Sequence, residues 1–375
     1  MDNNLIKIFK STFGDEPRMF VRAPGRVNII GGHTDYNDGF VMPIAIDRFV
    51  WVAFRPRSDD QIKLHSLEFD SVADFSFNNF KHTLDWQDYV KSVAWVLRIN
   101  NYTLKGWEGI LSSNIPIGAG LSSSAALLMA ILKVFSIICK FSWNGHLMAQ
   151  FARQAENEWL NLKSGIMDQM ISSLGREGHA MLLDCRSLSP KFVPIPSKVK
   201  IIVLDTGTRR GLLNSKYNER VKQCKESANY FGCDSLRDIS IEIFEEKKDG
   251  LSNILLKRAR HVIYENYRTI DVSKAMKQKD VKKIGYLMNV SHQSLKEDYG
   301  VSSKELDIMV NIAREQKGCF GARMTGAGFG GCAIALVDQM FQKQFMKNIF
   351  DIYNLKTGIK PNIYLCEASS GVRSF

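Results

Sequence analysis

Four segments of this chain gather residue types that could do chemistry. The first is Pro116-Ile-Gly-Ala-Gly-Leu-Ser-Ser-Ser-Ala-Ala126. Its two glycines permit tight turning and close approach of an anion. Three serines then open a long apolar run, and the positive end of such a helix, with its free NH groups, favours phosphate. The serine hydroxyls can donate to phosphate, or one can ligate a divalent cation. No Gly-Lys-Ser/Thr follows, so this is not a Walker A loop, and the third glycine of a dinucleotide fingerprint is missing. Taken alone, a serine-capped helix after a glycine turn is also ordinary structure.

The second segment runs Arg22-Ala-Pro-Gly-Arg-Val-Asn-Ile-Ile-Gly-Gly-His-Thr-Asp-Tyr-Asn37. Arg26, Asn28, His33, Asp35 and Asn37 alternate there with apolar residues and glycine. So dense a set of short hydrogen-bonding side chains suits a polyhydroxyl ligand, although a hairpin with Asp and Asn turn caps would read the same way. The third, Gly165-Ile-Met-Asp-Gln-Met-Ile171, sets Asp168 among apolar residues on a short helix. A carboxylate so placed is either paired with a cation or functional, because burying it alone is costly. The fourth, Gly321-Ala-Arg-Met-Thr-Gly-Ala-Gly-Phe-Gly-Gly331, is a glycine loop between two strand-like runs, either a hairpin or a lid over reacting groups.

Positioning these segments requires a mixed fold. Strand patterns fall at 19–22, 41–46, 49–54, 62–67, 72–77 and 107–112, and helical periodicity at 86–99, from Ser122 to about Cys139, 144–159 and 166–174. A strand at 179–184 and a buried-type strand at 199–205 follow. Long charged helices are predicted near 213–229, 252–278, 280–297 and 303–315, then strands at 321–324 and 332–337, a helix near 338–353 and a strand at 362–367. Without strict βα alternation this is an α+β pattern. No linker rich in Pro, Gly or Ser separates the halves; the boundary is placed near 185–198, giving domains at 1–190 and 191–375.

The bulk numbers fit a globular protein. Of 375 residues, 45% are apolar and 24% charged, enough to bury a sizeable core. Residues 5–13 suit a short amphipathic helix rather than a secretory leader, and Ala125 to Cys139 is too short to span a bilayer. The chain is therefore read as cytoplasmic, with neither membrane nor nucleic acid as partner. The net charge of +11 is spread over the whole length with no basic arm, which fits attraction of an anionic small molecule better than a nucleic-acid module. Seven scattered cysteines without a CxxC pair indicate neither a disulfide frame nor a zinc site.

Together the four segments resemble the GHMP small-molecule kinases, and within them the galactokinase branch. The likeness continues through Trp86-Gln-Asp-Tyr-Val-Lys91, Asp184-Cys-Arg-Ser-Leu188, Arg258-Ala-Arg-His-Val262 and Ser291-His-Gln-Ser-Leu-Lys-Glu-Asp-Tyr299. It implies a GHMP kinase fold, with an N-terminal ribosomal S5 domain 2-like α/β domain and a C-terminal ferredoxin-like α+β domain. Nucleotide and sugar would meet between them in a monomeric enzyme that phosphorylates the anomeric hydroxyl of galactose with ATP and Mg²⁺. By motif match, Gly118, Ala119, Gly120, Leu121, Ser122, Ser123 and Ser124 would cradle the ATP phosphates. Ser124 and Glu156 would hold Mg²⁺, and Ser66 and Trp86 would lie near the nucleoside. Gly32, His33, Thr34, Asp35 and Tyr217 would face the sugar, with Asp168 and Arg26 as the catalytic pair. On sequence alone, Glu156 is merely a solvent-facing helix residue.

One position departs from the branch. Its signature normally carries glutamate between glycine and His-Thr-Asp-Tyr-Asn, where this chain has Gly32. The resemblance puts that glutamate on the C6 side of the sugar, so its loss removes an acceptor worth about 1.5–3 kcal/mol if buried and paired. Galactose remains the first expectation, with a water or neighbouring groups filling the gap. A sugar altered at that end, arabinose or galacturonate, is the alternative. A non-catalytic galactose- and ATP-binding sensor is disfavoured by the intact Ser122-Ser-Ser-Ala-Ala126 and by Asp168.

Overall fold

A computed structural model describes residues 3–208 and 213–375. The first half contains α1 (Asn3–Phe13), β1 (Met19–Asn28), β2 (Phe40–Val41), β3 (Pro43–Pro56), β4 (Gln61–Ser66), β5 (Ser71–Ser76), α2 (Gln87–Ile99), β6 (Trp107–Ser113), α3 (Ser123–Ile138), α4 (Gly145–Gln154), α5 (Met167–Leu174), β7 (His179–Asp184) and β8 (Ser189–Pro194). The second half contains β9 (Val199–Asp205), α6 (Leu213–Tyr230), α7 (Ile241–Lys247), α8 (Asn253–Lys277), α9 (Val281–Glu297), α10 (Lys304–Glu315), β10 (Cys319–Met324), β11 (Cys332–Asp338), α11 (Gln342–Thr357), β12 (Asn362–Cys366) and β13 (Arg373–Ser374).

Among these residues the strands form three sheets. Six run in the order β13-β1-β3-β6-β4-β5, four in the order β10-β11-β9-β12, and three in the order β2-β7-β8. The four-stranded sheet is antiparallel throughout, whereas β4 pairs with β6 in parallel. α3 is apolar on every side, with Ala125 to Leu132 all buried, the pattern of a helix enclosed by its neighbours. It packs on β1, β3, α2, α4 and α5, so its N-terminus is fixed from several directions. A second core joins β9, β10 and β11 to α8, α10 and α11 through Ile202, Val262, Met309, Ala335 and Phe345. α1 seats Leu5 and Phe9 against Phe20, Ala53 and Ile110. No helix among the described residues is long and apolar enough to cross a membrane.

Several elements differ from the sequence pattern for identifiable reasons. Residues 144–159 are not one helix: α4 ends at Gln154 and a π-helical turn follows at Ala155–Trp159, closed by Leu160 N donating to Ala155 O at 3.1 Å. Such turns are wide and occur often at functional sites. β8 lies where no strand is anticipated, because Pro190 and Pro194 argue against one. Proline is tolerated on an edge, and β8 is the edge of its sheet. The helix anticipated at 338–353 begins at Gln342, after a turn in which Phe341 N meets Asp338 O at 3.0 Å. It continues to Thr357, before Gly358 in the left-handed conformation. Finally, β13 returns to pair with β1, setting Val21 against Ser374.

Candidate active site

The glycine-serine loop is held by the first strand. β1 carries a bulge between Pro24 and Arg26, and Gly25 is needed there because a Cβ would stand 2.7 Å from Leu121 O. That close approach lets Arg26 N donate to Leu121 O at 3.0 Å. Ser122 adopts a left-handed conformation (φ 60°) and α3 begins at the next residue. Gly118 and Gly120 also have positive φ; around Gly120 there is open space, so its backbone angle rather than crowding demands glycine.

Arg26 and Asp168 meet across this loop. The guanidinium grips the carboxylate with both prongs, Nε to Oδ1 at 2.7 Å and Nη2 to Oδ2 at 2.6 Å. Its Nη1 donates to Gly120 O at 2.6 Å. The Ser122 hydroxyl donates to the same Oδ2. Arg26 is nearly enclosed, while Asp168 keeps 27% of its side chain open. The carboxylate is thus oriented by charged and neutral donors yet remains accessible.

Glu156 lies in the π-helical turn and is buried. Its Oε2 accepts from Ser164 Oγ at 2.7 Å and Gln169 Nε2 at 2.6 Å, and Ser124 adds a further hydrogen bond. Burial, with the Asp168 charge nearby, pushes its carboxyl up to about 7. Its donors among the described residues, Ser124, Ser164 and Gln169, are neutral, so none of them balances the negative charge.

The loop after β1 supplies the next wall. Asp35 packs against Gly165, where any side chain would collide with its carboxylate. Burial and the Asp168 charge raise Asp35 to about 6. His33, itself in a left-handed conformation, uses both ring nitrogens. Nε2 lies 3.2 Å from Ala327 O, and a carbonyl only accepts, so Nε2 carries the proton. Nδ1 then accepts from Tyr36 OH at 2.9 Å, and Tyr36 accepts from Tyr299 OH at 2.7 Å. Burial pushes the imidazole down to about 3 and keeps it neutral. Tyr217 stands over this group, 5.9 Å from the His33 ring and 5.1 Å from Tyr36.

A cavity of about 310 Å³ unites these groups. Arg26, Gly32, His33, Asp35, Ser124, Glu156, Asp168 and Tyr217 line it, together with Ser164, Gly165, Arg323, Gly326 and Ala327. Thr34, read from the sequence as a sugar-facing residue, is instead fully buried, its hydroxyl donating to Gly31 O at 3.0 Å and Phe40 O at 2.7 Å. It shapes the loop. Ser66 is buried and Trp86 stacks on Phe69 with ring centroids 5.7 Å apart; both lie outside this cavity.

Two groups escape sequence reading. Glu265 on α8 accepts from the backbone NH of Gly31 at 3.0 Å and of Gly32 at 3.1 Å. Burial works against its charge, but Arg268 and Arg323 outweigh it and hold the carboxyl well below the usual range. Arg323, inside the quoted glycine-rich segment, fills the space beside Gly32 and is lowered by burial to about 10. The gap anticipated at Gly32 is therefore occupied by a guanidinium. A buried Glu on a long charged helix carries no local signal; only its spacing from Arg268, three residues on, hints at a pair.

Comparison with known proteins gives the same picture. The galactokinase galactose-binding signature matches residues 7–56, the GHMP kinases N terminal domain residues 88–176, and the GHMP kinases C terminal domain residues 272–349. A galactokinase of Roseiflexus sp. (strain RS-1) is 40% identical over 370 residues, covering 97% of this chain and 95% of that one. A galactokinase of Chloroflexus aurantiacus is 40% identical over 377 residues, covering 99% and 97%. The crystal structure of Lactococcus lactis galactokinase complexed with galactose superposes with a TM-score of 0.95 at 36% identity, covering 98% of each chain. At 21% identity, Methanococcus jannaschii mevalonate kinase shares only the fold, with a TM-score of 0.66 over 94% of this chain and 98% of that one. A kinase of the GHMP fold is thus the class that the two-part architecture and the serine loop define. The chain belongs to the galactokinase family within it.

Proposed function

We propose that the chain transfers the γ-phosphoryl group of ATP to the anomeric hydroxyl of galactose, giving galactose 1-phosphate and ADP. The observation that carries this is the Asp168 carboxylate, fixed by Arg26 and Ser122 yet open to a sugar-sized cavity at the mouth of the serine loop. The galactose complex of a 36%-identical relative supports the choice of acceptor.

In this reading Asp168 accepts a hydrogen bond from the anomeric hydroxyl and then its proton, as the sugar oxygen bonds to the γ-phosphorus and the bond to the ADP oxygen breaks. Transfer of this kind passes through a loose transition state, so positioning and charge neutralisation dominate. Arg26 holds the carboxylate in line and its charge offsets that of the transferring group. Asp35 and Tyr217 orient the sugar, while His33 acts through Ala327 by tethering the glycine loop. Gly118 to Ser124 receive the phosphates at the N-terminus of α3, and Trp86 flanks the nucleoside, while Ser66, fully buried, does not reach it.

Mg²⁺ fits Ser124 and Glu156. Among the described residues no three His, Cys, Asp or Glu gather as a metal site, and a cation bound by one carboxylate, one hydroxyl and substrate phosphates is the usual mode for this ion. The buried Glu156, raised to about 7 amid neutral donors, is the group such a cation would compensate. When bound, the ion neutralises charge on the β and γ phosphates.

The division into 1–190 and 191–375 belongs to the same reading, with β13 returned to the first sheet. The same reading takes the chain to work as a monomer in the cytoplasm. Purified protein supplied with ATP, Mg²⁺ and galactose tests this: galactose-dependent ADP release and a sugar 1-phosphate by ³¹P NMR are expected. Binding of both ligands with no ADP above the sugar-free rate would overturn it in favour of a sensor.

A further inference from the structure

The wall around Gly32 bears on which acceptors the cavity admits. Arg323 on β10 is 1% exposed and lines the cavity beside Gly32. Its Nη1 donates to Ile29 O at 3.1 Å and stands 3.8 Å from Glu265 Oε1, but its Nε is buried without a partner among the described residues. Glu265 is shared among several donors. Its Oε1 also accepts from Ser291 Oγ at 2.6 Å, and its Oε2 from Arg268 Nε at 2.6 Å. One carboxylate between two guanidiniums leaves this corner with surplus positive charge. Nη2 of Arg323 lies 2.6 Å from where a Cβ on residue 32 would stand, so glycine is what lets the guanidinium reach the cavity edge.

Arg26 and Asp168 occupy the part of the cavity next to the serine loop, through Gly120 and Ser122. Gly32 lies six residues beyond Arg26 in the chain, tied to α8 by Glu265 and by His261, whose Nε2 is 2.9 Å from Gly32 O. A pyranose in this cavity with its transferring hydroxyl at Asp168 would have its opposite end free to meet Gly32 and Arg323, which line the same cavity. A guanidinium donates hydrogen bonds and accepts none.

We propose that Arg323 determines acceptor specificity at the end of the sugar remote from the transferred phosphate, and that the site takes pyranoses bearing an oxygen acceptor there, hydroxymethyl or carboxylate alike. Hexuronic acids of the galactose configuration are then substrates beside galactose. Sugars lacking that oxygen leave a buried donor unpaired and are rejected. This rests on the sugar-kinase reading above.

The test compares kcat/KM for galactose, galacturonate, 6-deoxygalactose and arabinose. Galacturonate is expected within about tenfold of galactose, and the other two about 100-fold below it, the scale of a lost hydrogen bond to a charged group. Equal use of galactose and 6-deoxygalactose, or galacturonate more than about 1000-fold below galactose, overturns the proposal. In Arg323→Met the galactose to 6-deoxygalactose ratio should collapse toward one even if the overall rate falls, whereas a general loss of packing leaves that ratio intact and refutes the role. Should that variant not fold, the four-sugar comparison on the unaltered protein decides. If galactose itself is not phosphorylated, the kinase reading has failed. Calorimetric binding of galacturonate against 6-deoxygalactose then still judges Arg323: tighter binding of the acid is expected and equal binding overturns it.

Discussion

Replacing Asp168 by Asn separates the base from the scaffold. The amide keeps the shape of the carboxylate but loses two things. It cannot take a proton, which for a positioned general base is worth about 10²–10⁴ in rate. It also presents an NH₂ where Oδ2 now receives both Arg26 Nη2 and Ser122 Oγ, so donors face donors. Arg26, 7% exposed, then loses one of its two prongs. A charge-assisted hydrogen bond lost at such a site costs about 1.5–3 kcal/mol, which in a chain of this size lowers Tm by only a few degrees. The expected result is kcat reduced at least 100-fold, ATP affinity within threefold of the parent, and a small drop in Tm. A coupled ADP-release assay, calorimetric titration with ATP and a thermal melt measure the three. A purified, folded variant turning over within tenfold of the parent would refute the base assignment.

Other perturbations follow from the same geometry. Asp35 is raised from 3.8 to about 6, so the folded chain favours its protonated form. That contribution to stability is complete below pH 4 and lost as pH rises through 6, about 2 kcal/mol after allowing for its partial exposure to the cavity. Asp35→Asn should flatten this fall in melts of the sugar-free protein between pH 4.5 and 7.5; parallel curves for parent and variant would count against it. Gly165→Ala drives a methyl into the Asp35 carboxylate and should raise KM for galactose about tenfold or more, one misplaced hydrogen bond's worth, with KM for ATP little changed; an unaltered sugar KM contradicts the packing. Glu265→Gln leaves Arg268 and Arg323 facing each other across a neutral amide and should cost about 3–5 kcal/mol, as when one partner of a buried pair is removed. Denaturant unfolding with a midpoint like the parent's would disprove that network.

What could be read in the sequence was what sits in short segments. Arg26, Asp168 and the serines of the loop each belong to a dense local pattern, and the structure brings them within hydrogen-bonding distance. α3 was legible because a run without polar residues from Ala125 to Leu132 has little choice but burial. Contacts made across the chain were not legible. Glu265 reaches Gly31 and Gly32 from over two hundred residues away, and on α8 only the spacing to Arg268 sets it apart from a solvated glutamate. Thr34 shows the converse: a hydroxyl in a promising motif, spent on Gly31 O and Phe40 O. β8 was hidden by two prolines that an edge strand can tolerate, and the π-turn at Ala155–Trp159 by a periodicity that barely differs from that of a continuous helix.

The clamp of Arg26 on Asp168 lies within the first sheet and the helices packed on it, whereas Ala327 and Arg323, which also line the cavity, come from the glycine loop and β10, with Glu265 of α8 buried behind Arg323. Any parting of the two halves would leave the reactive carboxylate primed but strip it of the walls that hold an acceptor in line. A stray water would find a base but nothing to steady it against the nucleotide. In the reading proposed above, a nucleotide bound without sugar would thus be spared idle hydrolysis.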